Sequence, residues 1–287
     1  MMKIEGFQRH IDKLNLWNRD NFKAFYYTSD LIGYLKEPVW SQLMKWPDSF
    51  SVDEVGLHLN PQFNTFESRT ELLDEVTTEL VDLKVMTHRH GERYPVTSGG
   101  RDSAIATIDR AAAAFFGLRA YGQHLNGFIR SADGLKLWIA RRASDRRIFP
   151  DHLDNMVAGG LPHNLTMSEN LYKECKEEAG VPSSIVDRAI PVGALTYCIE
   201  TEVGLKPDTL YCYDLELPED FIPHNTDGEV AEFTLMSVEE VAERVAETDD
   251  FKPNCNLVVI DFLIRHGIIN PETQGYLELV HGLHKKL

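Results

Sequence analysis

Residues 158–181, AGGLPHNLTMSENLYKECKEEAGV, specify one helix with both ends fixed and one face committed. Thr166 and Glu169 stand three residues apart, the spacing of a capping box, and set the helix start near Met167. Gly180 is a natural left-handed stop, and Pro182 prevents continuation. At ~100° per residue, Met167, Leu171, Cys175 and Ala179 form a continuous apolar stripe, so the helix must lie against a core. On the same projection Glu174 and Glu178 fall inside the buried edge of that stripe, Glu177 lies beside it, and Lys176 points to the opposite face.

Gathering three carboxylates there has a cost. Like charges four residues apart repel by roughly 0.2–0.5 kcal/mol. Each anion in a final turn also opposes the helix dipole by roughly 0.3–1 kcal/mol. Partial burial adds desolvation, which a proton or a cation relieves. A hard divalent cation such as Mg²⁺ removes all three penalties, because it takes oxygen ligands. The spacing alone fits a solvated acidic patch on a surface helix equally well. Gly159 and Gly160, just upstream, are expected to let the backbone turn sharply and bring carbonyl groups toward the helix.

The rest of the chain narrows the setting. A formal net charge of −16 excludes nonspecific nucleic-acid binding, which draws on a basic surface. So acidic a protein handles an anionic substrate only if cations bridge the two. No apolar run reaches the roughly 18–20 residues that a membrane span needs. The opening MMKIEGFQRH lacks the apolar segment of a secretion signal. Cys175, Cys198, Cys212 and Cys255 show neither CxxC nor zinc-type spacing, as expected of reduced, buried thiols in the cytoplasm.

Texture divides the sequence near residue 118. Residues 1–117 are expected to form a mostly helical N-terminal domain. Its helices are expected in FQRHIDKLNLW, DLIGYLKEPVWSQLMKW, SRTELLDEVTTELVDLKVM and the alanine-rich DSAIATIDRAAAAFFG. From Tyr121 to Leu287 strands alternate with helices. YGQHLNGFIRS and LKLWIARR flank the hairpin signal Asp133-Gly134, and PVGALTYCIETEV pairs with DTLYCYDLEL. SVEEVAERVAE begins with a Ser-x-x-Glu cap, and NLVVIDFLIRHG and PETQGYLELVHGLH close the chain as helices.

The run Lys-Glu-Cys-Lys-Glu-Glu-Ala-Gly-Val from Lys173 to Val181 resembles the Nudix box, G-x5-E-x7-R-E-U-x-E-E-x-G-U, where U is bulky and apolar. Counted back from Gly180, the matches are Glu174, Glu177, Glu178, Val181 and, at the first position, Gly159. Lys173 stands where the pattern has arginine, and Cys175 fills the apolar place. Leu165 stands where the pattern has its first glutamate, and the segment after Gly160 is one residue short. Across most of its length, and most strongly over residues 105–181, the chain looks like the Nudix branch associated with thiamine pyrophosphokinase. The segments carrying that likeness are IDRAAAAFFGLRAYGQHLNGF, DNMVAGGLPHN and ENLYKECKEEAG.

That resemblance implies an α+β chain, a Nudix α/β/α sandwich with a mixed sheet over residues 118–287 behind the N-terminal domain. It implies a pyrophosphohydrolase that uses Mg²⁺ or Mn²⁺ to convert thiamine diphosphate, or oxidised and analogue forms of it, to the monophosphate. Glu174, Glu177 and Glu178 would hold the metal and carry catalysis, with the Gly160 carbonyl as a further ligand. A nucleotide diphosphate derivative such as ADP-ribose, NADH or coenzyme A is the competing substrate. A non-catalytic ligand-binding module is the competing class, and Leu165 is the residue that favours it.

The basic run ARRASDRR offers Arg141 and Arg142 at a strand end as phosphate-binding candidates, with Arg146 and Arg147 behind them. Glu229 and Glu232 are secondary candidates for base or metal ligand, or else exposed residues of an edge strand. Tyr121, His124, Phe128, Tyr197 and Tyr211 could stack on a heterocycle, as could His163, although core or strand packing is the commoner role of each. The expected partner is a small-molecule diphosphate, with no nucleic acid or membrane, and the expected state is a monomer or homodimer.

Overall fold

The computed structural model describes residues 4–285. Helix α1 (Glu5–Leu14) leads into strands β1 (Lys23–Tyr27) and β2 (Asp30–Leu35), then helix α2 (Val39–Leu43). Strands β3 (Phe50–Val52) and β4 (Leu57–Leu59), helix α3 (Phe66–Asp82) and strands β5 (Arg93–Val96) and β6 (Ala106–Asp109) follow. β2-β1-β4-β3 form one sheet, and β5 pairs with β6 as a separate ribbon.

This region is mixed rather than mostly helical, and two segments account for the correction. In DLIGYLKEPVWSQLMKW the first six residues are strand β2, with Gly33 opposite Phe25 of β1. A side chain on Gly33 would lie 2.3 Å from the Phe116 carbonyl oxygen, so close backbone approach, not helical spacing, governs that position. In DSAIATIDRAAAAFFG, Ala106–Asp109 pair with Arg93–Val96, and the alanines yield only a 3-10 turn at Arg110–Ala112. Helix preference is worth less than about 1 kcal/mol per residue. Here it loses to burial, since Ala106, Ile108, Ala112 and Phe116 share a core with Leu72 and Leu73 of α3.

The second half begins with the hairpin β7 (Tyr121–Ser131) and β8 (Gly134–Arg142), which turns at Asp133-Gly134 as the sequence predicts. Strands β9 (Leu153–Asp154) and β10 (Val157–Gly160) precede helix α4 (Met167–Ala179) and the short helix α5 (Ser183–Val186). A second hairpin, β11 (Ile190–Glu200) and β12 (Leu205–Glu216), leads to strand β13 (Val230–Ser237). Helices α6 (Val238–Glu247), α7 (Pro253–Arg265) and α8 (Tyr276–Gly282) complete the order.

The sheet runs β11-β12-β7-β8-β13, with β12 parallel to β7 and the other pairings antiparallel. It is the mixed sheet of the expected three-layer sandwich. On one face α4 packs Leu171, Cys175 and Ala179 against Leu125, Ile129 and Leu215. On the other, residues of α6, α7 and α8 meet Phe128, Ile139 and Leu210. Phe7, Ile11 and Leu14 of α1 join this second layer, so the first helix of the chain packs on the sandwich. With both faces covered, the first nine residues of β7 are buried.

β7 forks. Its first half pairs with β10, from Val157 opposite Leu125 to Gly160 opposite Gly122, and its second half pairs with β8. The glycine strand therefore lies at the mouth of the fork, beneath the C-terminal turns of α4. Among the described residues, no helix is long and apolar enough to cross a membrane.

Candidate active site

Helix α4 has the boundaries its sequence dictates. Thr166 accepts the Glu169 amide, and the Glu169 carboxylate accepts the Thr166 amide, so both halves of the capping box are made. Gly180 takes the left-handed conformation (φ 62°), and the Val181 amide bonds back to the Cys175 carbonyl, closing the helix end.

As the wheel predicts, Glu174 and Glu178 are more buried than Glu177. Glu178 is 8% exposed, and its Oε2 accepts the Ala158 amide of β10 at 2.8 Å. Burial pushes its carboxyl up to about 8, and the single amide bond only partly opposes this. Glu174 is half-buried and lies over Gly159, where a methyl group would sit 2.4 Å from its Cδ. Burial raises the Glu174 carboxyl too, against the pull of Lys173. Glu177 is the most exposed of the three. Lys173 bridges it to Glu174, at 2.9 Å and 3.1 Å. Lys173 thus supplies positive charge at the arginine position of the box, but as a point rather than a fork.

Gly159 and Gly160 do not form the expected turn. They end strand β10, paired with Gln123 and Gly122, and glycine is required there for close approach. The Glu174 carboxyl occupies the space of a Gly159 side chain. A side chain on Gly160 would lie 2.2 Å from the Tyr94 hydroxyl and 2.9 Å from Arg110 Cζ. The Gly160 carbonyl accepts a bond from Asn170 Nδ2 at 2.9 Å, which fixes its direction. Asn170 also donates to Gln123, while its Oδ1 is buried with no protein partner.

Tyr94 and Arg110 come from the N-terminal region, and sequence reasoning missed both. The same region grips the loop between β10 and α4. Arg101 donates to the carbonyls of Pro162, His163 and Leu165. The His163 amide bonds to the Arg93 carbonyl at 2.7 Å, and its ring stacks on Phe66. Leu165, which lacks the carboxylate of the box, thus enters the site through its backbone.

Other sequence candidates turn out to be engaged elsewhere. Arg141 pairs with Glu232 at 2.7 Å and donates to the Asp151 carbonyl. Arg142 donates to the carbonyls of Phe149 and Ile148 and to Asp154. Arg142 thus spends its whole fork on the protein's own loop, while Arg141 keeps Nη2 without a protein acceptor among the described residues. Arg146 pairs with Glu229, and Arg147 donates to Thr87. Of the aromatic candidates, Phe128 packs against Phe262, and Tyr197 is buried on Asp208. Tyr121 is buried and stacks on the half-buried Tyr211, with ring centroids 6.2 Å apart.

His124 belongs to a second group of donors, with Asp154 and Cys255, all buried and mutually close enough to hold an ion. The contacts of Asp154 argue against an ion there. Asp154 Oδ2 already receives Lys252 and Arg142, each at 3.1 Å, and its Oδ1 accepts the Cys255 thiol. This group is an ion-paired, hydrogen-bonded network centred on Asp154. The glutamates offer oxygen donors, the kind a hard cation such as Mg²⁺ or Mn²⁺ takes, and Lys173 pairs with Glu174 and Glu177 but not with Glu178.

Residues 6–120 match a model described as a domain of unknown function (DUF4743), and residues 124–255 match the NUDIX domain. Nudix hydrolase 20, chloroplastic, of Arabidopsis thaliana is 40% identical over 290 residues, covering 96% of this chain and 77% of the relative. The chain belongs to the Nudix hydrolase family. Nudix hydrolase 24, chloroplastic, of the same plant is 41% identical over 98% of this chain and 78% of its own length. An uncharacterized protein of Saccharomyces cerevisiae is 33% identical over 88% of this chain and 77% of its own length. The likeness to both plant hydrolases spans the N-terminal region as well as the Nudix domain, and the chain is a Nudix hydrolase.

Proposed function

We propose that this Nudix hydrolase cleaves the diphosphate of thiamine diphosphate, or of oxidised and analogue forms of it, leaving the monophosphate. The observation that carries the hydrolytic part is the pair Glu174 and Glu178, drawn over the Gly159-Gly160 strand, with no salt bridge to Glu178 among the described residues. Those two carboxylates and the Gly160 carbonyl would hold the divalent cation, with Glu177 at the open side. When bound, Mg²⁺ or Mn²⁺ neutralises diphosphate oxygens and makes water a better nucleophile.

The protein's own residues do the rest. Glu178 retains a proton at neutral pH while the site lacks a cation, and gives it up when a cation enters. Asn170 holds the Gly160 carbonyl toward the site. Arg101 fixes the loop that joins the glycine strand to α4. Lys173 keeps Glu174 and Glu177 from separating.

The thiamine part rests on the likeness of residues 105–181 to the thiamine pyrophosphokinase-associated branch. Tyr211 and Tyr213, half-buried on the α4 side of β12, supply aromatic surface on which a heterocycle could stack. The test is incubation with Mg²⁺ and a panel of thiamine diphosphate, its oxidised forms, ADP-ribose, NADH and coenzyme A, with monophosphate products followed by chromatography. Preferential release of thiamine-type monophosphate is expected. Turnover of ADP-ribose alone would move the assignment to nucleotide diphosphates.

A further inference from the structure

We propose that Arg110, delivered by the region preceding the Nudix domain, binds the substrate's diphosphate beside the Glu174 and Glu178 carboxylates. The proposal rests on the hydrolase reading of that site and adds a residue that no Nudix-domain segment supplies. Three observations carry it.

The first is position. A side chain on Gly160 would lie 2.9 Å from Arg110 Cζ and 3.0 Å from its Nη1, while one on Gly159 would meet the Glu174 carboxyl. Successive strand residues face opposite ways, so the guanidinium and the carboxyl approach β10 from two sides. Among the described residues, β10 pairs only with β7. Along its other edge the Ala158 amide meets Glu178 and the Gly160 carbonyl meets Asn170. That polar edge lies between the guanidinium and the Glu174 carboxyl, and there we place the metal-bound diphosphate.

The second is availability. Arg110 uses Nη1 for Glu92 at 2.8 Å, and among the described residues its Nε and Nη2 have no protein acceptor. Its side chain is 38% exposed. Arg142, by contrast, spends Nε, Nη1 and Nη2 on backbone carbonyls and Asp154. The third is chemistry. A site built from glutamates repels a diphosphate until cations enter, and a guanidinium fork suits phosphate oxygens better than any other side chain. The Tyr94 ring, 5.5 Å from Arg110 Cζ, and the Asp109 cap on the Ala111 amide hold the guanidinium in place.

The test is calorimetric titration with imidodiphosphate, a non-hydrolysable diphosphate mimic, at saturating Mg²⁺. Arg110→Ala, Arg110→Gln and Arg110→Lys are compared with the unaltered protein and with the surface control Arg244→Ala. Binding is expected to weaken ~10–100-fold in the Ala and Gln variants, the range for one hydrogen-bonded charge. It should recover in part with Lys and be unchanged in the control. Mg²⁺ titrated without diphosphate should bind all the variants alike. Folded Ala and Gln variants that bind imidodiphosphate as tightly as the unaltered protein overturn the proposal. So does a parallel loss of Mg²⁺ affinity, which marks Arg110 as a prop for Gly160. Failure of the unaltered protein to bind imidodiphosphate is a different result, and refutes the placement of the diphosphate site at Glu174 and Glu178.

Discussion

Gly159→Ala isolates the contact on which the metal geometry depends. The added methyl group would lie 2.4 Å from Cδ, 2.6 Å from Oε2 and 2.7 Å from Cγ of Glu174. Carbon atoms settle at about 3.5–4.0 Å, so the carboxyl must retreat by about 1 Å. The backbone at Gly159 is not left-handed, and alanine is tolerated in a strand. The obstacle is the end of a flexible side chain, so the fold should survive with its Tm nearly unchanged. Displacing a catalytic group by about 1 Å costs about 10²-fold in rate, or roughly 2.7 kcal/mol of barrier. Steady-state kcat/KM with Mg²⁺ and the preferred diphosphate, beside thermal melts of both proteins, measures this. A folded Gly159→Ala protein with undiminished kcat/KM would refute the placement of Glu174 over the glycine strand.

Three further outcomes are expected. Because the Glu178 carboxyl is raised from 4.5 to about 8, the metal-free fold carries no penalty from it below pH 4.5, and loses stability as pH climbs through that window. The loss is on the order of 3–5 kcal/mol, and Glu178→Gln should abolish both this slope, in urea melts with chelator present, and most turnover. Equal pH dependence in the two proteins would contradict the burial argument. At pH 7, Mg²⁺ binding should release close to one proton, seen as a dependence of binding heat on the buffer's ionisation enthalpy; no such dependence would mean that Glu178 is already ionised. Arg101→Ala frees three carbonyls of the loop before α4, and should speed amide hydrogen exchange across residues 162–166 and lower kcat. Unchanged exchange there would remove Arg101 as the clamp.

What was legible in the sequence is local. The cap pair Thr166 and Glu169, the stop at Gly180 and the apolar stripe of α4 lie within a few turns of one another, so their spacing alone sets Glu174 and Glu178 toward the core and Glu177 beside it. Alternation and the Asp133-Gly134 turn likewise place the first hairpin of the sandwich. What was not legible depends on contacts between distant segments. Gly159-Gly160 reads as a turn because glycine serves turns and close approaches alike, and only the arrival of Glu174, Tyr94 and Arg110 distinguishes the two. Arg110 sits at the head of an alanine run with helical spacing, which burial against α3 turns into a strand and a 3-10 turn. Arg141 and Arg142 look available until Glu232 and Asp154, remote in sequence or across a loop, are brought beside them.

The central claim is that Glu174, Glu178 and the Gly160 carbonyl grip a divalent ion. Anomalous scattering from crystals soaked in Mn²⁺ tests it directly. The account predicts a peak at roughly 2.0–2.3 Å from oxygens of both carboxylates and of Gly160. A peak instead among His124, Asp154 and Cys255, with nothing at the glutamates, would contradict it.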